Sequence, residues 1–170
     1  MRSAPIAILV LTLGIAAVPA SARAQGSAIG YAFTGPEWQT MDGRQAWTLG
    51  GGGEMITGWK GTTIGLEAAH LWFPAVESDG FLRRPVSANI VSVDMSRHFR
   101  QSTGPGRWQP FLTGGVFLGA SGDAADGGFT IGGGVDRWFS RRVGLRIDAR
   151  DQFLSNGYSF VGVRAGIVLR

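Results

Sequence analysis

The chain has 170 residues, with 16 Lys and Arg against 12 Asp and Glu, 28 glycines and no cysteine. Without cysteine it can form no disulfide, thiol nucleophile or thiolate metal site. A hydrophobic fraction of 44% argues against low-complexity disorder, which pairs abundant glycine with low hydrophobicity.

The first element in chain order is MRSAPIAILVLTLGIAAVPASARAQG. Arg2 gives a positive start, Ile6 to Val18 is an apolar run broken only by Thr12 and Gly14, and Ala22-Arg23-Ala24 is a small-x-small site. That order predicts a secretory signal peptide over residues 1–24, cleaved before Gln25. The apolar run is shorter than the ~20 residues that a spanning helix needs. Removing the segment takes away Arg2 and Arg23 and leaves 14 basic against 12 acidic residues, a net charge of +2 instead of +4. No basic stripe remains, so nucleic acid is not an expected partner.

Residues 25–170 read as one domain. No sustained helical spacing of apolar residues follows Gln25; runs of about ten residues alternate with period two between turn residues instead. Strands are expected near 28–34, 46–56, 62–73, 86–99, 108–119, 128–139, 142–153 and 159–169. The connectors TGWKG, QSTGPGR and SRR are short or turn-like. GPEWQTMDGRQ, AVESDGFLRRPV and SGDAADG are longer or more polar, with Gly35–Gln45 and Ala75–Pro85 as the expected external loops. Short turns at one end and longer loops at the other, with an even strand count, is the layout of a transmembrane barrel.

Alternation sorts the side chains into two sets. One parity collects Ile64 and Leu66, Val91, Val93 and Met95, Leu112, Val116 and Leu118, and Val161, Val163, Ile167 and Leu169. The other collects Glu54, Glu67, Asp94, His98, Asp136, Arg146, Asp148, Arg150 and Arg164. Two architectures satisfy this pattern. A lipid-embedded barrel turns the apolar face outward and the charges into its lumen. A soluble barrel makes the apolar face its core.

Three features favour lipid. Aromatics gather at strand ends: Trp47, Trp72, Phe73 and Phe153 at the loop end, and Trp59, Phe99, Trp108, Trp138 and Phe139 at the turn end. Interfacial girdles sit at those levels. The charged exceptions on the apolar parity, Arg97, Arg137 and Asp151, also lie near strand ends. Finally, the mature chain has a single lysine, Lys60, whereas exposed strand faces of soluble domains favour Lys, Thr and Glu. An eight-stranded barrel is narrow, so its interior is filled by side chains. Charges there must be paired. The expectation is therefore an ion-pair network of Glu54, Glu67, Asp94, Asp136, Arg146, Asp148, Arg150 and Arg164 that plugs the lumen, with Arg100 and Arg170 at the rim.

FTIGGGVDRWFSRRVGLRIDARDQF (129–153), the closing strand FVGVRAGIVLR, and the earlier GGGGEMI and TIGLEAAHLWF resemble the small outer-membrane β-barrel proteins. That group includes the OmpA-type transmembrane domain and the OmpX type. The resemblance implies an all-β, eight-stranded antiparallel up-and-down barrel. It further implies a mostly non-enzymatic structural, adhesive or surface-interaction role, with outer-membrane lipids and the barrel-assembly machinery as partners and the external ligand left open. Such barrels usually finish on an aromatic residue, where this strand reads Val168-Leu169-Arg170; the alternation through Leu169 keeps the apolar part of that signal.

Candidate chemistry is sparse, and no catalytic residue, metal site or cofactor is expected. Ser96 and His98 share one face, which could suggest a nucleophile and base, but that face is the lumen. His70 lies on the outer parity near the loop end, with Glu67 and Glu77 close in sequence. Asp123 and Asp126 lack the closing Glu of a calcium loop, and GEMITGWKGT (53–62) separates the Gly and Lys that a phosphate loop keeps adjacent. A lipid A-modifying enzyme, or a soluble periplasmic barrel carrying an apolar ligand, are the alternatives. The run Gly50–Gly53 reads as a curvature site in the second strand, with Gly50 and Gly52 making room in the lumen for Phe111, Phe117 or the arginines.

Overall fold

The computed structural model describes residues 28–41, 43–57, 59, 61–78, 81–83, 85–99, 106–122 and 124–170. The expected signal peptide, Arg100, Asp123, and Gly58 and Lys60 of the near phosphate loop lie outside the described residues. The described residues form ten strands: β1 (Ala28–Gln39), β2 (Gln45–Ile56), β3 (Thr62–Phe73), β4 (Val76–Ser78), β5 (Phe81–Arg83), β6 (Val86–His98), β7 (Trp108–Ser121), β8 (Ala124–Trp138), β9 (Val143–Leu154) and β10 (Ser159–Leu169). Eight close into one antiparallel barrel in the order β1-β10-β9-β8-β7-β6-β3-β2. β4 and β5 form a separate hairpin in the β3–β6 connection.

The register fixes the barrel's dimensions. Stepping sideways from Ile29 through Glu54, Gly65, Asp94, Gly115, Thr130, Gln152 and Phe160 returns to β1 at Gln39, ten residues further along. With ordinary strand rise and spacing, that stagger sets a strand tilt of about 40° and a backbone radius of about 8 Å. A bore of that radius is narrow enough for side chains to meet across it.

Several boundaries differ from the sequence reading. β1 continues past residue 34 to Gln39, β7 reaches Ser121, and β8 starts at Ala124. Of the expected loop Gly35–Gln45, residues 35–39 belong to β1 and Gln45 starts β2, and within SGDAADG Ser121 pairs with Ala124 and Gly122 takes φ 59°. Gly35-Pro36 looks like a turn signal because proline lacks an amide donor. Here the β1–β10 pairing skips only those two residues, and Glu37 pairs with Gly162 in the register set by Thr34 and Ala165.

The alternation places the apolar parity outside. Ile64, Leu66, Val93, Met95, Val116, Ile131 and Ile167 are exposed, whereas Glu54, Glu67, Asp94, Asp136, Arg146, Asp148, Arg150 and Arg164 are buried. The charged face is thus the interior, the reverse of a soluble barrel's core. A smaller apolar cluster inside includes Ile29, Trp138 and Val168 towards the turn end and Leu71 and Phe73 towards the loop end.

Candidate functional site

The lumen is built in layers, starting at the turn end. There Trp138 Nε1 donates to Gln109 Oε1 at 3.1 Å, and Arg170 Nη2 reaches the same oxygen at 3.3 Å. The Arg170 guanidinium lies 4.3 Å from the Trp138 ring centroid.

Above it, Arg146 holds two strands together. Its Nη1 donates to Glu54 Oε1 at 2.6 Å, and its Nε and Nη2 take both Asp136 oxygens at 2.8 and 3.1 Å. Tyr31 and Phe111 cover the guanidinium, with ring centroids 4.4 and 4.6 Å from its carbon. Glu54 Oε2 also accepts from the Thr63 hydroxyl at 2.7 Å and lies 3.1 Å from His98 Nε2. The planar fork of arginine suits this role because it can serve two carboxylates while its faces rest on rings.

The next layer has two arginines and three acids. Arg164 donates to Glu67 Oε1 at 2.7 Å and to Asp148 Oδ1 at 2.8 and 3.0 Å, above the Phe33 ring at 3.9 Å. Arg150 reaches Glu67 Oε2 at 3.1 Å and Asp94 Oδ2 at 3.2 Å. Tyr31 Oη and Ser92 Oγ donate to Glu67 and Asp94 at 3.1 and 2.7 Å. All eight acidic and basic residues singled out for the lumen therefore meet there, in two connected clusters.

Glycine makes the clusters possible. A Cβ at Gly52 would lie 2.8 Å from Tyr31 Oη, and one at Gly50 would lie 2.5 Å from Phe33 Cζ. The neighbours that the glycine run accommodates are thus Tyr31 and Phe33 of β1, and not Phe111, Phe117 or the arginines directly. Those two rings in turn support Arg146 and Arg164. The same device recurs at Gly132 against Arg150 Cγ (2.7 Å) and at Gly134 against Asp148 Cβ (2.6 Å). In a cylinder this narrow, a large side chain requires an empty position on the neighbouring strand.

Of the aromatics assigned to the girdles, Trp47, Trp72, Trp108, Phe99, Phe139 and Trp59 are exposed on the outside. Phe153 is half-buried and stacks on outward Phe129 with centroids 4.7 Å apart. Phe73 and Trp138 correct the assignment: both are buried inside the barrel, Trp138 completely. Each shares its parity with a lumen residue, Phe73 with Glu67 and Trp138 with Asp136, so alternation outranks position near a strand end. The sequence reading also missed two residues beyond its limit for β1. Trp38 joins the outer aromatics, and Glu37 is buried inside. Extending the Ile29, Tyr31, Phe33 alternation through Gly35 would have found both.

The candidate chemical groups are engaged elsewhere. Ser96 donates to Thr113 at 3.0 Å and His98 serves Glu54, so the two do not form a nucleophile–base pair. His70 Nδ1 lies 2.9 Å from Asn89 Oδ1, its ring stacked on Trp72, while Glu67 points to the other side of the wall. Glu77's side chain lies outside the described residues. Asp126 is held by the Ser155 hydroxyl at 2.5 Å and the Gly127 amide at 2.7 Å. Among the described residues no group of three or more His, Asp or Glu side chains is placed to hold a metal ion.

No protein-family model matches the sequence, and no curated protein does. Solved structures do match. Neisserial surface protein A superposes with a TM-score of 0.69 at 10% identity, over 84% of this chain and 96% of that one. The N-terminal β-barrel domain of Pseudomonas aeruginosa OprF gives 0.56 at 16%, over 84% and 98%. Ail, the attachment invasion locus protein of Yersinia pestis, solved with the heparin analogue sucrose octasulfate, gives 0.54 at 11%, over 84% and 95%. At these identities the likeness is one of fold, and the fold is that of the small eight-stranded outer-membrane β-barrels.

Proposed function

We propose that this chain is an integral, non-enzymatic β-barrel of a Gram-negative-type outer membrane, with a structural, adhesive or surface-interaction role. One observation carries the reading: the strands' outer face is apolar at mid-height, while Glu54, Glu67, Asp94, Asp136, Arg146, Asp148, Arg150 and Arg164 are buried inside. Water would not tolerate that exterior as a monomer's surface, since soluble monomers rarely expose apolar patches beyond a few hundred Å². Lipid would. The charged exceptions lie near strand ends: Arg97 and Arg137 at the turn end, with Arg137 5.0 Å from the Trp108 ring, and Asp151 three residues from the loop end of β9.

In this reading residues 1–24 direct export and are removed before Gln25, the barrel-assembly machinery inserts a monomer, and the short-turn end faces the periplasm. The arginine–carboxylate clusters close the lumen to ions, and the β4–β5 hairpin segment meets the exterior. The deciding experiment combines fractionation with electrophoresis of unboiled and boiled detergent samples. An outer-membrane protein whose band shifts on boiling is expected; a protein in the soluble periplasm with no shift would overturn the reading.

A further inference from the structure

The ion-pair clusters fill the lumen only part of the way to the loop end. Beyond them the barrel opens into a cup of about 410 Å³. Its walls are apolar, with Leu71, Phe73, Ile90, Phe117, Leu154 and Phe160 among them. Phe73 and Phe160 meet at a tilt, centroids 5.8 Å apart. Small residues line it too, including Ala88, Gly119 and Ala124. In the lower layers Gly50, Gly52, Gly132 and Gly134 are each matched by a larger side chain. In the cup, a Cβ added at Gly119 would meet nothing closer than 3.7 Å. Volume, apolar walls and a few polar groups are the attributes of a small-molecule site.

A second observation specifies what such a molecule must carry. Gln152 lines the cup, is 8% exposed, and its buried Oε1 has no hydrogen-bond partner. Buried polar atoms left unpaired are costly, and a bound group that pairs them gains accordingly. A hydroxyl can donate to the carboxamide oxygen of Gln152. Among the described residues the rim carries both signs, with Arg44 over Phe73 and Asp126 also lining the cup.

We propose that this cup binds a neutral aryl alcohol, one or two fused rings seated among the phenylalanines with the hydroxyl on Gln152. The proposal goes beyond the envelope role and does not depend on which of its forms is right. It is tested with the mature chain refolded into lipid nanodiscs, its heat-shifted band confirming the barrel, by titrating 2-naphthol and naphthalene against methyl NMR signals.

Saturable shifts at Leu71 and Ile90 are expected, with 2-naphthol binding at least about tenfold tighter than naphthalene, the factor that one buried hydrogen bond supplies. Gln152→Leu should reduce 2-naphthol to the affinity of naphthalene, and Ala88→Phe should abolish the shifts of both. Non-saturating shifts that equally affect lipid-facing Val93 would mean membrane partitioning and overturn the proposal. Equal affinities in the unaltered protein would overturn it too, and that comparison needs no variant to fold.

Discussion

Arg164 on β10 donates to Glu67 on β3 across the lumen, Nη1 to Oε1 at 2.7 Å, between residues 97 positions apart in the chain. β1 and β2 lie between those strands in the wall, so the pair ties the closing strand to the far side of the first hairpin. Both side chains are buried, and the pair's surroundings are fully committed: Asp148 and Phe33 hold the guanidinium, while Tyr31 and Arg150 hold the carboxylate.

Arg164→Met should therefore destabilise the barrel by about 3–5 kcal/mol, because it leaves Glu67 and Asp148 buried with less compensation. Glu67→Met should cost a similar amount. The double variant should cost clearly less than the sum, since neither charge is then left without its partner. Urea unfolding in lipid vesicles measures all three, and additive losses would refute the coupling.

The glycine run gives a contrast within one chemical change. Gly50→Ala places a methyl 2.5 Å from Phe33 Cζ and 2.6 Å from the Ala68 carbonyl, whereas at Gly114 the nearest atom is 3.4 Å away. Gly50→Ala must displace the ring under Arg164 and should cost about 1–3 kcal/mol, the range for overpacking. Gly114→Ala should be within about 0.5 kcal/mol of the unaltered protein, as for substitutions away from packed features. The same unfolding midpoints decide it.

Alternation made the wall legible from sequence, because a period of two needs no tertiary information: RIDAR alone sorts Arg146, Asp148 and Arg150 from Ile147 and Ala149. It also placed the eight lumen charges on one face. Which acid meets which arginine was not legible, since that follows from a ten-residue stagger visible only once the sheet closes. The roles of Tyr31 and Phe33 depend on the same stagger, which sets them opposite Gly52 and Gly50. Glu37 and Trp38 escaped for a local reason: Gly35-Pro36 carries a turn's composition inside a strand. Phe73 and Trp138 were misplaced because aromatic residues near strand ends suit two environments, and only parity separates them.

That last distinction is measurable. In single-tryptophan variants, Trp108 and Trp47 should be quenched by lipids brominated on the acyl chain, and Trp138 should not, because it is fully buried beside Arg170. Trp138→Ala should also cost about 3–5 kcal/mol as a core deletion. Strong quenching of Trp138 by brominated lipid would return it to the girdle.

Depth along the outer face supplies the sharpest test of the lipid environment. Val93 lies near the middle of β6, outward and exposed, with Leu66 and Val116 as its cross-strand neighbours. If hydrocarbon surrounds it, Val93→Arg must carry a charge to the midplane and should cost about 2–4 kcal/mol. Arg97, on the same face but one residue from the end of β6, donates to Thr62 Oγ1 at 3.0 Å. Replacing it with leucine should change stability by no more than about 1 kcal/mol, the value of one hydrogen bond at the interface. Water around the barrel would reverse the order: Val93→Arg would then be neutral or would improve solubility. Unfolding of both variants in vesicles, beside the unaltered barrel, separates the two environments.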